Sequence, residues 1–170
     1  MSTHPRLVSF LQDQHRSVLR SLEALLTTKE RAIKTRRQWF EKLESELYHH
    51  MLLEEEIIYP ALESAAQTKQ DLRAYRAARG EHEATKALLK ELEGLDPASA
   101  EFSHKLKVLE RSVAHHISDE EATLFPMVQQ AFAPDELQAL TRLLIRRHEE
   151  LEAHRAWSED ALVMAFSAPH

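Results

Sequence analysis

HHMLLEEEIIYP at residues 49–60 returns as HHISDEEATLFP at residues 115–126, and the match between these two stretches decides the fold. His50 and His116, Glu54 and Glu120, Glu55 and Glu121, Tyr59 and Phe125, and Pro60 and Pro126 each stand 66 positions apart. His15 and His82 form one more matched pair, 67 positions apart. A fixed period whose matched positions carry imidazoles and carboxylates implies two quasi-repeats, each reading His … His-x-x-x-Glu, that together build one shared site.

Around the two copies, four stretches place an apolar residue every three or four positions, the spacing of an amphipathic helix. The first runs from about Pro5 to Leu26, with Leu7, Leu11, Val18, Leu22 and Leu25 on one stripe and His15 among them. The second reads Leu43, Leu47, His50, Glu54, Ile57 and Ala61, and the third Tyr75, Ala78, His82, Thr85, Leu89 and Leu92. The fourth reads Phe102, Leu106, Leu109, Val113, His116, Glu120, Leu124 and Met127. In each stripe a polar residue stands where Leu would be expected. Thr27 to Thr35, Thr68 to Asp71 and Gly94 to Ser99 read as links, with Gly94 ending one helix and Asp96-Pro97 starting the next. Pro60 and Pro126 kink or end their helices beyond the Glu, which would leave the ligand turn regular. Ala133-Pro134-Asp135-Glu136 opens a fifth helix carrying Leu137, Leu140, Leu144 and Leu151. That helix is expected to cover one side of the bundle or to pair two copies as a homodimer. The chain is therefore expected to be all-α and to form one domain over residues 1–170. Within it an antiparallel up-down four-helix bundle spans about 5–130 and an additional C-terminal helix about 134–166.

Composition narrows the function. With 2 Gly and 6 Pro in 170 residues, a turn-rich β fold is disfavoured. No 18-residue apolar run exists to span a membrane. The opening MSTHPRLVSFLQDQH lacks the unbroken apolar stretch of a signal peptide. The absence of Cys excludes disulfides, thiolate ligation and iron–sulfur clusters and fits a cytoplasmic address. A formal charge of −6, with basic residues spread along the chain, argues against nucleic acid as a partner. The unusual count is 11 His.

His50 and Glu54, like His116 and Glu120, are four apart and share a helix face. A buried carboxylate without a partner costs several kcal/mol, and none of the four stripes offers a Lys or Arg. A divalent or trivalent metal resolves the conflict by taking both carboxylates and the imidazoles as ligands. Two Glu and four His exceed the needs of one tetrahedral zinc and suit two metals bridged by carboxylates. Ferritin-like di-iron bundles use Glu-x-x-His and further Glu. Here the order is reversed and imidazole predominates, which stabilises the ferric state less and favours binding or sensing over strong oxidation. His49 and His115 sit about 100° round the helix from the ligand face and read as neighbours of the site or as surface groups. His4, His104, His148, His154 and His170 read as solvated. Tyr75, seven before His82, reads as a core aromatic or as a phenol lining an open coordination position. Glu55 and Glu121 read as exposed, or as acceptors for ligand N–H groups.

The repeated His-x-x-x-Glu-Glu…aromatic-Pro element, with one His ahead of each copy, resembles the hemerythrin-like or HHE cation-binding domains over roughly Pro5 to Gln130. The resemblance implies a non-heme di-iron centre with His15, His50, Glu54, His82, His116 and Glu120 as metal ligands. Glu54 and Glu120 would be the bridges, with an oxo or hydroxo group between two Fe ions and Zn or Mn as substitutes. It also implies a small ligand, O₂, NO or peroxide. Oxygen-carrying members have another His one turn after the third-helix His, where this chain has Lys86. They also space the last-helix His and Asp by five, where His116 and Glu120 are four apart. The ligand set is closer to bacterial hemerythrin-like and iron-centre-repair proteins, although the latter usually carry a Cys-containing segment. Three functions follow as expectations: a module that binds or senses O₂ or NO, an enzyme that reduces NO or decomposes peroxide, and a donor of labile iron.

Overall fold

The computed structural model describes residues 6–66 and 68–167, so Pro5, His4 and His170 lie outside it. Among the described residues every regular element is helical: α1 (Arg6–Thr27), α2 (Ile33–Leu53), α3 (Tyr59–Ala65), α4 (Lys69–Glu93), α5 (Ala100–Asp119), α6 (Phe125–Ala131) and α7 (Pro134–Ser167). A π-helical turn, Glu54–Ile58, joins α2 to α3, and a second, Glu120–Leu124, joins α5 to α6. Four rods result, and they form an antiparallel up-and-down bundle. α1 lies against α2 and α4 against α5, and α1 with α5 and α2 with α4 close the ring. α7 lies along α1 and α2 and turns Leu137 and Leu144 onto the chain's own bundle.

The helical stripes explain the interior. Leu7, Leu11, Val18, Leu22 and Leu25 of α1 are buried, as are Tyr75, Ala78, Leu89 and Leu92 of α4. The apolar side chains divide into two clusters. One contains Leu11, Ile58, Leu62, Ala78, Leu124 and Val128; the other contains Val18, Leu47, Leu89, Leu109 and Val113. Each rod carries its candidate ligands between the two, so a polar layer crosses the bundle with apolar packing above and below it.

The sequence periodicity fails in one place, and it fails twice. Beyond Glu54 the buried residues are Ile58, Tyr59 and Leu62, not the expected Ile57 and Ala61; beyond Glu120, Leu124 is buried as expected, but Phe125 and Val128 follow it inward and Met127 is only partly buried. The cause is the wide turn, which shifts the register by one residue. Pro60 and Pro126 have no N–H to offer the preceding turn and crowd its carbonyls. The helix relaxes ahead of each Pro, and the N–H of Tyr59 reaches Glu54 O while that of Phe125 reaches Glu120 O. The distortion therefore begins at the Glu itself, not beyond it. The preceding turn stays α-helical, since the Glu54 and Glu120 N–H groups bond the carbonyls of His50 and His116.

Helix ends follow their chemistry. Ser99 caps α5, its Oγ accepting from Phe102 N at 3.0 Å. The helix starts there and not at Asp96-Pro97, because Asp96 spends its carboxylate on Ala98 N within the link, at 2.9 Å. α7 begins at Pro134 as expected, and Glu136 Oε2 accepts from Ala133 N at 2.7 Å.

Candidate metal centre

The structure brings all six predicted residues into the polar layer. His15 comes from α1, His50 from the last turn of α2, His82 from α4 and His116 from the last turn of α5; Glu54 and Glu120 open the two π turns. None is more than 6 % exposed. Their donor atoms form two overlapping groups, His15–His50–Glu54–Glu120 and Glu54–His82–His116–Glu120, each drawn together within 4.8 Å. Both carboxylates belong to both groups. Glu54 Oε2 lies 3.3 Å from His50 Nε2 and 3.3 Å from His82 Nε2. Glu120 Oε2 lies 3.4 Å from His15 Nε2 and 3.4 Å from His116 Nε2.

What stands behind the imidazoles decides which nitrogen faces inward. His15 Nδ1–H donates to Glu121 at 2.8 Å, His82 to Glu55 at 2.9 Å and His116 to Glu81 at 2.9 Å. His50 Nδ1–H donates to the side-chain carbonyl of Gln14 at 3.1 Å. With Nδ1–H engaged behind all four rings, each imidazole in its neutral form turns an Nε2 lone pair toward the centre. Those lone pairs approach in couples, His15 to His50 at 3.1 Å and His82 to His116 at 3.2 Å. Glu55 and Glu121 thus serve as N–H acceptors, one of the two expected roles.

A cluster of lone pairs and carboxylates under apolar cover needs positive charge. Burial pushes Glu54 well up, and the Glu120 charge beside it adds to the effect. Burial likewise draws His50, His82 and His116 down. Burial also opposes a charge on His15, but Glu120 and Glu121 outweigh it and raise that imidazole. For Glu120 burial opposes ionisation, and the surrounding His15, His116 and His50 overcome it and hold the carboxyl low. Protons can thus meet only part of the demand. Glu120 Oε2, fully buried, keeps no aligned hydrogen-bond donor. An orphaned buried carboxylate oxygen among inward-facing imidazole nitrogens fits a cation, and the donor set of N and O atoms suits iron, zinc or manganese.

The phenol at the site is Tyr59, not Tyr75. Tyr59 is buried and donates to Glu120 Oε1 at 2.9 Å, with His82 Nε2 at 3.1 Å and Glu54 Oε2 at 3.4 Å. Tyr75 instead donates to Glu63 at 2.7 Å. Tyr59 follows Glu54 by five, which on a regular α-helix lies about 140° away; the π turn swings it onto the ligand face. The repeat partner Phe125 stacks on His15, with ring centroids 5.5 Å apart. Lys86 points away from the centre and binds both oxygens of Glu55 at 2.9 Å. Of the remaining imidazoles, His49 pairs with Glu152 of α7 at 3.0 Å, and His115, His104 and His154 are exposed. His148 is half-buried on α7 against the Phe10 ring and faces the Gln14 amide at 3.5 Å.

Fold and polar layer together define a helical-bundle metal-binding protein. The hemerythrin HHE cation binding domain model matches residues 6–128, and the chain belongs to that family. The crystal structure of a hemerythrin HHE cation binding domain-containing protein from Mycobacterium kansasii, an Rv2633c homolog, shares the fold. It superposes with a TM-score of 0.75 at 20 % identity, covering 92 % of this chain and 91 % of that one. No curated protein matches in sequence.

Proposed function

We propose that His15, His50, Glu54, His82, His116 and Glu120 hold two iron ions, with the two Glu shared between them. On this reading the protein binds or senses O₂ or NO, or handles iron. The supporting observation is that two donor groups, each with its own pair of inward Nε2 atoms, meet at the same two carboxylates. Six protein donors also leave coordination room for a small molecule. Iron, when bound, supplies affinity for diatomic ligands and one-electron chemistry. The chain's own residues hold the imidazoles in one tautomer, exclude water through the two apolar clusters and keep a proton at Tyr59 Oη. We read residues 1–170 as one hemerythrin-like unit in which α7 shields the α1–α2 side. Nothing in the site calls for a second copy, since all six residues come from one chain.

One observation favours a second reading, an enzyme that reduces NO or decomposes peroxide. The buried Tyr59 Oη stands at both carboxylates, donating to Glu120 Oε1 at 2.9 Å with Glu54 Oε2 at 3.4 Å, and burial with the Glu54 and Glu120 charges keeps it protonated. Both reactions build negative charge on an oxygen atom, and an O–H held in place beside the carboxylates can stabilise it by hydrogen bonding. Metal analysis of the purified chain together with its optical spectrum tests the main reading. About two irons per chain and a near-ultraviolet absorption that azide perturbs are expected. One metal at full occupancy, with a second that cannot be loaded, would overturn it.

A further inference from the structure

The two copies of the motif match in all six donors and differ at Tyr59 against Phe125 beside them and at Gln14 against Glu81 behind them. His15 and His82 are held by Glu121 and Glu55, which are repeat partners. His50 and His116 are held by the residues just ahead of the other two imidazoles, Gln14 and Glu81, which are also repeat partners, 67 positions apart. Here an uncharged amide stands in one copy and a carboxylate in the other. A carboxylate acceptor draws on the Nδ1 proton, leaves Nε2 a stronger donor and adds negative charge close to a bound cation. An amide carbonyl fixes the same tautomer without that charge. Lys86 offsets part of the Glu55 charge and so works against a difference in net charge; what remains is that both His82 and His116 lean on carboxylates, whereas His50 leans on an amide. Gln14 also lines a cleft of about 480 Å³ together with Phe10, His49 and His148, between α1, α2 and α7.

We propose that Glu81 and Gln14 make the two metal positions unequal. The His82–His116 position fills first and holds its metal more tightly, by a factor on the order of ten or more. The His15–His50 position is the exchangeable one, with Gln14 standing between His50 and the cleft. The proposal rests on the dinuclear reading above. Glu81 and Gln14 are positioning residues, acting on the metal through His116 and His50.

Titration of the metal-free full-length chain with Zn(II), followed by the assigned imidazole ¹H–¹⁵N signals, tests it. In the unmodified chain the first equivalent should move the His82 and His116 signals and the second those of His15 and His50. Glu81→Gln should weaken the first step by roughly 10- to 100-fold and merge the two steps. Gln14→Glu should tighten the second. The double exchange, close in shape and so expected to keep the fold, should reverse the filling order. A first equivalent spread evenly over both pairs, or an order indifferent to the exchange, would overturn the proposal while leaving two bound metals. Uptake that stops at one Zn(II) per chain would overturn the dinuclear reading itself.

Discussion

The half of the bundle built by α1 to α3 and the half built by α4 to α6 place the same donors at the same depth, and they part company one atom layer further out. His15 matches His82, His50 matches His116 and Glu54 matches Glu120, all buried. Behind and beside them, Gln14 stands against Glu81, Phe125 against Tyr59 and Leu19 against Lys86. The surroundings differ as well: α7 covers His49 through Glu152, whereas His115 is 66 % exposed beside Asp119 and Glu81. The difference separates two kinds of demand. Donors that converge on one point have little latitude in type or position, because a misplaced imidazole or carboxylate becomes an unpaired buried polar group. The residues around them adjust basicity, hydrogen bonding and access, and there the two halves are free to differ.

The largest effect should come from the residues that join the halves. Glu54→Ala or Glu120→Ala should strip both metals, whereas His15→Ala should chiefly empty one position; metal content per chain reads the difference. Equal loss of a single metal in all three variants would contradict the shared role of the carboxylates. Removing the metal altogether should loosen both halves together. At free metal a thousandfold above its dissociation constant, binding adds about 4 kcal/mol, a change in melting temperature on the order of 10 °C for a chain of this size. Helix content by circular dichroism should persist after chelation, since both apolar clusters remain. An unchanged melting temperature in fully demetallated protein would show that the layer is not a metal site.

Smaller effects test the asymmetry. Tyr59→Phe removes the donor to Glu120 Oε1 and makes the first half resemble the second; denaturant unfolding of the metal-free chain should show a loss of about 1–3 kcal/mol. Phe125→Tyr should give no matching gain, because Phe125 stacks flat on His15. A Tyr59→Phe chain as stable as its parent would mean that the phenol bond contributes nothing net. Lys86→Met releases Glu55 from a partly exposed ion pair and should cost under about 1 kcal/mol. The metal-bound imidazole signal of His82 should register the change while that of His15 does not. His104→Ala, remote from the layer, should alter neither metal content nor stability.

The repeat, its 66-residue period and the polar residues set within apolar stripes were legible in the chain, as were the four rods, the fifth helix and the six converging residues. They were legible because helical periodicity and burial are local consequences of residue order. Register beyond each Glu was not, because the π turn arises where a Pro, the carbonyls before it and the packing of neighbouring rods are satisfied together. That shift carried Tyr59 inward and left Tyr75, on an undistorted stripe, bonded to Glu63. Equally, no spacing along the chain could pair Gln14 with His50 or Glu81 with His116, residues 36 and 35 positions apart. Those partnerships exist only where antiparallel rods bring one helix's side chains behind another's. Residue order decided which donors reach the centre; the tertiary packing decided what each one leans on.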